Sequence, residues 1–260
     1  MEFFINEILE NDKVKEILLT ETEYADEAKK FVERVKNGED IMPKEGIMTI
    51  FVCAYLADYA LELNNKRGIP KEITVATLKD VNVWLDNYQT QFGTIGLDKY
   101  SWLKFHYTGD LFRLGRLQYR LEKPLEGVPA GDIAIETHIP QGEPLTKDAC
   151  LKSFDEAKAF FAKIFPDAKP QYFMCDSWLL NPNLAEVLNE TANIVQFMRL
   201  WTPIPFESDN SCQAVERVFG FGFKKEDIEN APENTGLQRA MKKYIIDGGT
   251  MDITAGYREI

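Results

Sequence analysis

The run RLQYRL, residues 116–121, sets Leu117, Tyr119 and Leu121 in alternation with Arg116, Gln118 and Arg120. Successive side chains of a strand point to opposite faces, so this period of two reads as a strand with one polar face. A second alternating run, IAIETHI at 133–139, sets Ile133, Ile135, Thr137 and Ile139 against Ala134, Glu136 and His138. Pro124, Gly127, Pro129 and Gly131 lie between them, and the two strands are expected to pair as a hairpin.

Downstream, Pro140 and Pro144 end the second strand, and a helix carries Leu151, Phe154, Ala157, Phe161 and Ile164 on one face. Tyr172–Leu180 is apolar enough for a strand buried on both faces. Asn181-Pro182 supplies an N-cap and a first-turn proline for a short helix. Ile194–Trp201 reads as a further buried strand, stopped by Pro203 and Pro205. Helices follow from about Ser208 to Phe219 and from Thr235 to Asp247, and Met251, Ile253, Ala255 and Tyr257 mark a last strand. The order β-β-α-β-α-β-α-α-β predicts a mixed sheet with crossover helices, in the α/β (α+β) class.

Upstream of about Gln91 the pattern is helical. Val14, Ile17 and Leu18, then Ala28, Phe31, Val32 and Val35, recur at steps of three and four. A third helix, from about Lys44 to Lys66, is apolar nearly all round its middle and is expected to be buried. A fourth runs from about Thr74 to Gln91, and Gly93 and Gly96 mark the boundary. The expected division is a helical region over 1–98 and an α/β domain over 99–260.

The chain carries 30 Lys and Arg against 42 Asp and Glu, a formal charge of −12. That balance argues against nucleic acid as the partner, because phosphate-backbone affinity comes from clustered basic residues. Two histidines and four scattered cysteines, with no CxxC pair, assemble no zinc framework, so no metal is expected. Glu2, Asn6 and Glu7 interrupt the start where a signal peptide would be apolar, and Ile47–Ala57 is shorter than a bilayer span. A cytoplasmic protein with no membrane partner is the expectation.

The segments LFRLGRLQYRL, HIPQGEPLTKDACLKSFDEAKAFF, CDSWLLNPNLAEVL and NIVQFMRLW resemble the GNAT-like C-terminal domain of bacterial acyltransferase-domain proteins, which also carry a helical domain in front. The resemblance implies a GNAT-like sheet. It also implies acetyl-CoA or another acyl-CoA as co-substrate, with its pyrophosphate on the loop Gln141, Gly142, Glu143, Pro144, Leu145 and Thr146. The family's loop is R/Q-x-x-G-x-G/A. Here only Gln141 and one glycine survive, Pro144 has no N–H to give, and Glu143 is an anion.

Glu136 and His138 share a strand face, and either suits the base that takes a proton from an attacking amine. The competing reading of Glu136 is a cross-strand ion pair with Arg116 or Arg120, and that of His138 a hydrogen-bonded structural histidine. Cys175 and Ser177 share a face of the next buried strand, where a thiol or hydroxyl would protonate the departing thiolate or, as the lesser alternative, carry the acyl group; packing is the competing reading for Cys175. Thr146 starts the helix after the loop, unless Ser153 and Glu156 form a later capping box. The function these features imply is acyl transfer to a small-molecule or peptide amine. A non-catalytic module that binds acyl-CoA or a protein stays open beside it, and so does a hydrolase pairing Glu136 with Glu143.

Overall fold

A computed structural model describes residues 1–129, 131–208 and 212–260. The chain divides into two compact units, Met1–Arg113 and Leu114–Ile260.

The first unit is helical. Phe4–Ile8 makes a π-helical turn, and the Asn11 side chain then accepts from the backbone N–H of Lys13 and Val14 to start α1 (Asp12–Thr20). α2 (Ala25–Lys36) packs on α3 (Ile47–Lys66), whose residues from Ile50 to Ala54 are all fully buried. At 20 residues α3 is long and apolar enough for a bilayer span, and here most of its apolar stretch is covered by protein. The helix expected over Thr74–Gln91 is two helices, α4 (Lys71–Leu78) and α5 (Asp80–Phe92). Asn82 explains the break. Its side-chain amide donates to the Lys79 and Ile8 carbonyls, and its oxygen accepts from Glu10 N–H, so a local side chain competes with the helical ladder.

Asp80 turns inward at that break. One carboxylate oxygen, Oδ2, accepts from the indole N–H of Trp84 at 2.8 Å and of Trp102 at 3.2 Å, with His106 Nε2 at 3.4 Å. Trp102 and His106 belong to α6 (Tyr100–Tyr107), a helix the sequence pattern does not announce. Tyr100, Leu103 and Tyr107 are buried in the same core as α3, within the compact unit that runs to Arg113.

The sheet has six strands in the order β1-β2-β3-β4-β6-β5 among the described residues. They are β1 (Leu111–Leu114), β2 (Leu117–Glu122), β3 (Ala134–His138), β4 (Tyr172–Ser177), β5 (Thr202–Ile204) and β6 (Thr254–Glu259). β2 and β3 form the expected antiparallel pair, β3 and β4 run parallel, and β6 is antiparallel to both β4 and β5. The helices of this unit are α7 (Lys147–Ile164), α8 (Leu184–Val187), α9 (Asn193–Met198), α10 (Cys212–Phe219) and α11 (Gly236–Ile246). The expected start of α10 near Ser208 runs into residues 209–211, which lie outside the described residues.

Three expectations change. Ile194–Trp201 forms the helix α9 up to Met198 and a turn after it, not a strand: Ile194 and Met198, four apart, both pack on the cluster of Trp178, Leu184 and Met241. A short apolar run has no period that separates a buried helix from a strand. The strand from Tyr172 stops at Ser177, whose hydroxyl accepts from Leu179 N–H and opens a 3-10 turn. Pro203, expected only to stop a strand, sits inside β5, which its place at the sheet edge permits.

α7 covers the face of the sheet that carries Tyr119, Phe173 and Arg258. Phe154 meets Tyr119 at 6.2 Å and Phe173 at 5.0 Å between ring centroids, and the Arg258 guanidinium lies 4.5 Å from the Phe154 ring. Ser153 is no cap. Fully buried in mid-helix, its hydroxyl donates to the Leu114 carbonyl and accepts from Leu117 N–H and Tyr119 Oη.

Candidate functional site

Register assembles a charged row on the opposite face. Arg120 stands opposite Glu136, and Gln118 opposite His138. Glu136 pairs with Met174 across the parallel ladder, so Asp176, two residues on, continues the row on β4. Arg120 Nε donates to Glu136 Oε2, and its Nη2 lies 2.9 Å from Glu122 Oε2. His138 Nε2 lies 3.2 Å from the same Glu136 oxygen. The ion pair read for Glu136 is therefore made with Arg120, while Arg116 sends Nη1 to the Pro140 carbonyl at 2.9 Å.

The two carboxyl groups of the row are pushed apart. Burial opposes ionisation of Glu136, but the hydrogen bonds and charges of His138 and Arg120 outweigh it and bring the carboxyl down to about 2. Asp176 still meets solvent, yet crowding by protein atoms and then the charge of Glu136 push its carboxyl up. Environments that separate two carboxyl groups in this way are a means of assigning acid and base roles. Glu136 is held as an anion beside the imidazole, which makes it a poor proton acceptor and a good orienting partner.

Cys175 and Ser177 lie on the other face of β4, away from Glu136 and His138. Burial pushes the Cys175 thiol well above its usual range, and the Ser177 hydroxyl is engaged with Leu179 N–H. Asp176, between them, is the residue the sequence reading missed. The signal was present: it is the one charge in the run YFMCDSWLL.

The β3–β4 ladder holds only two register pairs, Ile135–Phe173 and Glu136–Met174. The ladder ends there, before Thr137 and His138 on β3 and Cys175 and Asp176 on β4. The Thr137 hydroxyl is buried at that point with no hydrogen-bond partner. β3 then leads into the loop Gln141–Thr146, in which Leu145 is buried and the rest is exposed. Gly142 has φ +131°, a backbone that favours glycine, and a Cβ there would meet nothing within 4 Å. Thr146 is the N-cap of α7, its Oγ1 accepting from Ala149 N–H at 3.3 Å, as read from the sequence. An exposed loop running into the N-terminus of an 18-residue helix offers unpaired N–H groups and a positive dipole end to an anion. Pro144 and Glu143 weaken that offer, while the open space over Gly142 suits close approach of a phosphate. No group of three or more His, Cys, Asp or Glu suited to a metal ion occurs among the described residues.

A mixed sheet with a parallel central pair and a strand-loop-helix corner, preceded in sequence by a helical unit, defines the class: a GNAT-like domain with a helical domain ahead of it in the chain. Residues 111–258 match the family described as GNAT-like C-terminal domain, and residues 5–109 the N-acyltransferase N-terminal domain. The chain belongs to the GNAT-like family of the first of these two matches. Among solved structures it is similar to an acyltransferase in complex with decanoyl-CoA and teicoplanin, at 27% identity and TM-score 0.74 over 82% of this chain. It is also similar to an acyltransferase mutant in complex with octanoyl-CoA, at 26% identity, TM-score 0.75 and the same 82% of this chain. A third, in complex with CoA and 10C-teicoplanin, has 26% identity and TM-score 0.74, again over 82%. This chain spans 66% of the length of each of those chains. No curated protein matches it.

Proposed function

We propose that this chain transfers an acyl group from acyl-CoA to an amine by direct attack in a ternary complex. The observation that carries the reading is the row Arg120–Glu136–His138–Asp176, set where the β3–β4 ladder ends and β3 leads into the loop that enters α7. The amine nitrogen attacks the thioester carbonyl, the C–S bond breaks, and the CoA thiolate leaves with the electron pair. His138 takes the amine's proton, and the Glu136 carboxylate orients and stabilises the imidazolium. Asp176, whose carboxyl is pushed toward its protonated form, is the group on this face suited to return a proton to the thiolate. Cys175 packs and Ser177 caps. The pyrophosphate rests on Gln141, Gly142, Glu143, Leu145 and Thr146, where backbone N–H groups and the α7 dipole supply the attraction. The relatives bound to decanoyl-CoA and octanoyl-CoA support an acyl-CoA donor, and the teicoplanin complexes support a small-molecule or peptide acceptor. Four cysteines without a disulfide fit a reducing, cytoplasmic setting.

The test is release of free CoA from acetyl-, octanoyl- and decanoyl-CoA in the presence and absence of amines. Amine-dependent release that His138→Asn abolishes supports the reading, and no release with any donor and acceptor overturns it. The non-catalytic alternative draws on Glu143 and Pro144 in the loop. It predicts a rise in Tm with acyl-CoA, about 2.7 kcal/mol of stabilisation at 100 times Kd, without turnover.

A further inference from the structure

Because β3 and β4 are parallel, the loop after His138 and the turn after Ser177 leave from the same end of the sheet. β6 enters at that end through Asp252 and Ile253, and β5 leaves there toward Phe206 and Glu207. The segment after Ser177 and these ends of β5 and β6 line an open cleft of about 660 Å³, within the range of roughly 300–1,000 Å³ typical of small-molecule sites. Pro182, Phe206 and Ile253 give it apolar walls, Glu207 and Asp252 give it two carboxylates, and none of its lining residues is Lys, Arg or His.

The cleft is built and not merely left over. Asn181, 5% exposed, donates from Nδ2 to the Asp252 carbonyl at 2.9 Å and accepts Asn183 N–H at 3.0 Å, fixing the segment that carries Asp252. Thr250 Oγ1 donates to Asp252 Oδ2 at 3.1 Å and sets that carboxylate's direction. Thr254, on the cleft wall, keeps a buried hydroxyl with no hydrogen-bond partner. Thr254 pairs with Ser177 at the ends of β6 and β4, so the cleft lies at the same end of the sheet as His138 and Asp176, the last residues of the row on β3 and β4.

An attacking amine must be neutral, so two carboxylates at the end of the sheet where the reaction row finishes serve a different part of the acceptor. We infer that this cleft holds a second cationic group of the acceptor, its methylene linker lying on Phe206 and Ile253. The acceptor class is a diamine or aminoalkyl compound. This rests on the acyl-transfer reading for its chemistry, while binding in the cleft stands separately.

The probes are 1,5-diaminopentane and pentylamine, which differ by one charge. With the original protein the diamine is expected to show the lower KM, by about tenfold, the scale of a charge-assisted hydrogen bond. In the Glu207→Gln, Asp252→Asn double variant that advantage disappears, while KM for pentylamine and the affinity for acyl-CoA stay unchanged. An undiminished diamine advantage in the double variant, or no advantage in the original protein, overturns the assignment. If no amine is acylated, the acyl-transfer reading has failed, and calorimetry with 1,5-diaminopentane then decides the cleft alone. Binding that the double variant loses supports it, and absence of binding to the original protein overturns it.

Discussion

His138 Nε2 lies 3.2 Å from Glu136 Oε2, the same carboxylate oxygen that Arg120 reaches from the neighbouring strand. One anion is thus shared between a permanent cation and an imidazole. Arg120 keeps the carboxylate ionised, and the carboxylate fixes the ring. In the proposed reaction His138 is therefore the base and Glu136 its positioning partner. His138→Asn is expected to lower kcat by roughly 10²–10⁴-fold with acyl-CoA affinity nearly intact. Glu136→Gln is expected to cost less in kcat than His138→Asn, and steady-state kinetics with a fixed acceptor reads both.

The same carboxylate makes stability depend on acid. Glu136 is lowered to about 2 in the folded chain, against about 4.3 for an unperturbed glutamate. A depressed acid stabilises the fold above its unfolded pKa and loses that contribution as pH falls through the folded one. Urea unfolding should therefore show the original protein more stable than Glu136→Gln at pH 6, with the gap closing between about pH 4.5 and about pH 2.

Asp176 carries the opposite sign. Its carboxyl is pushed up by crowding and by the charge of Glu136, so the ionised form strains the native state. Asp176→Asn is expected to raise Tm at neutral pH and to slow turnover, a trade of activity for stability found at functional sites. Thermal melts and kcat on the same preparation check it, and a drop in Tm would argue that Asp176 is a structural anchor.

Gly142 tests the location of the pyrophosphate. Its φ of +131° strains any L side chain, and the space over it is open. Gly142→Val is expected to weaken CoA at least about tenfold while leaving pantetheine, which lacks the pyrophosphate, unaffected. Equal CoA affinity in the variant would place the phosphates elsewhere.

The first unit has its own buried charge. Asp80→Ala leaves the Trp84 and Trp102 N–H groups and His106 without their shared acceptor, a loss of about 3–5 kcal/mol for a broken buried pair. Urea unfolding of the full chain measures it. His106, Trp84 and Trp102 hold the Asp80 carboxyl below its ordinary value against the burial that opposes ionisation, so this contribution also fades as pH falls into the acid range.

The hairpin was legible because its two strands are amphipathic, and alternation set Glu136 and His138 on one face with Arg116 or Arg120 across from Glu136; the register then selects Arg120. Asp176 was not, because β4 is buried and alternation is weak in such a strand; attention went to Cys175 and Ser177 on its other face. α9 was misread for a related reason. A run such as Ile194–Met198 is apolar in either conformation, and only contact with Trp178 and Met241 selects the helix. α6 lacks a cap signal altogether, and its place follows from Tyr100, Leu103 and Tyr107 fitting the α3 core.

β6 follows every other element in sequence, yet it lies between β4 and β5. During synthesis β4 would wait with an unpaired edge until residues 254–259 have been made, and β5 would have no neighbour at all. Pairing across such sequence distance is slow, because loop closure precedes the contacts that reward it. Meanwhile the apolar β4 edge is open to other chains. Yield of properly assembled protein should then depend on growth temperature and chaperone supply more than the equilibrium stability of the finished sheet would indicate.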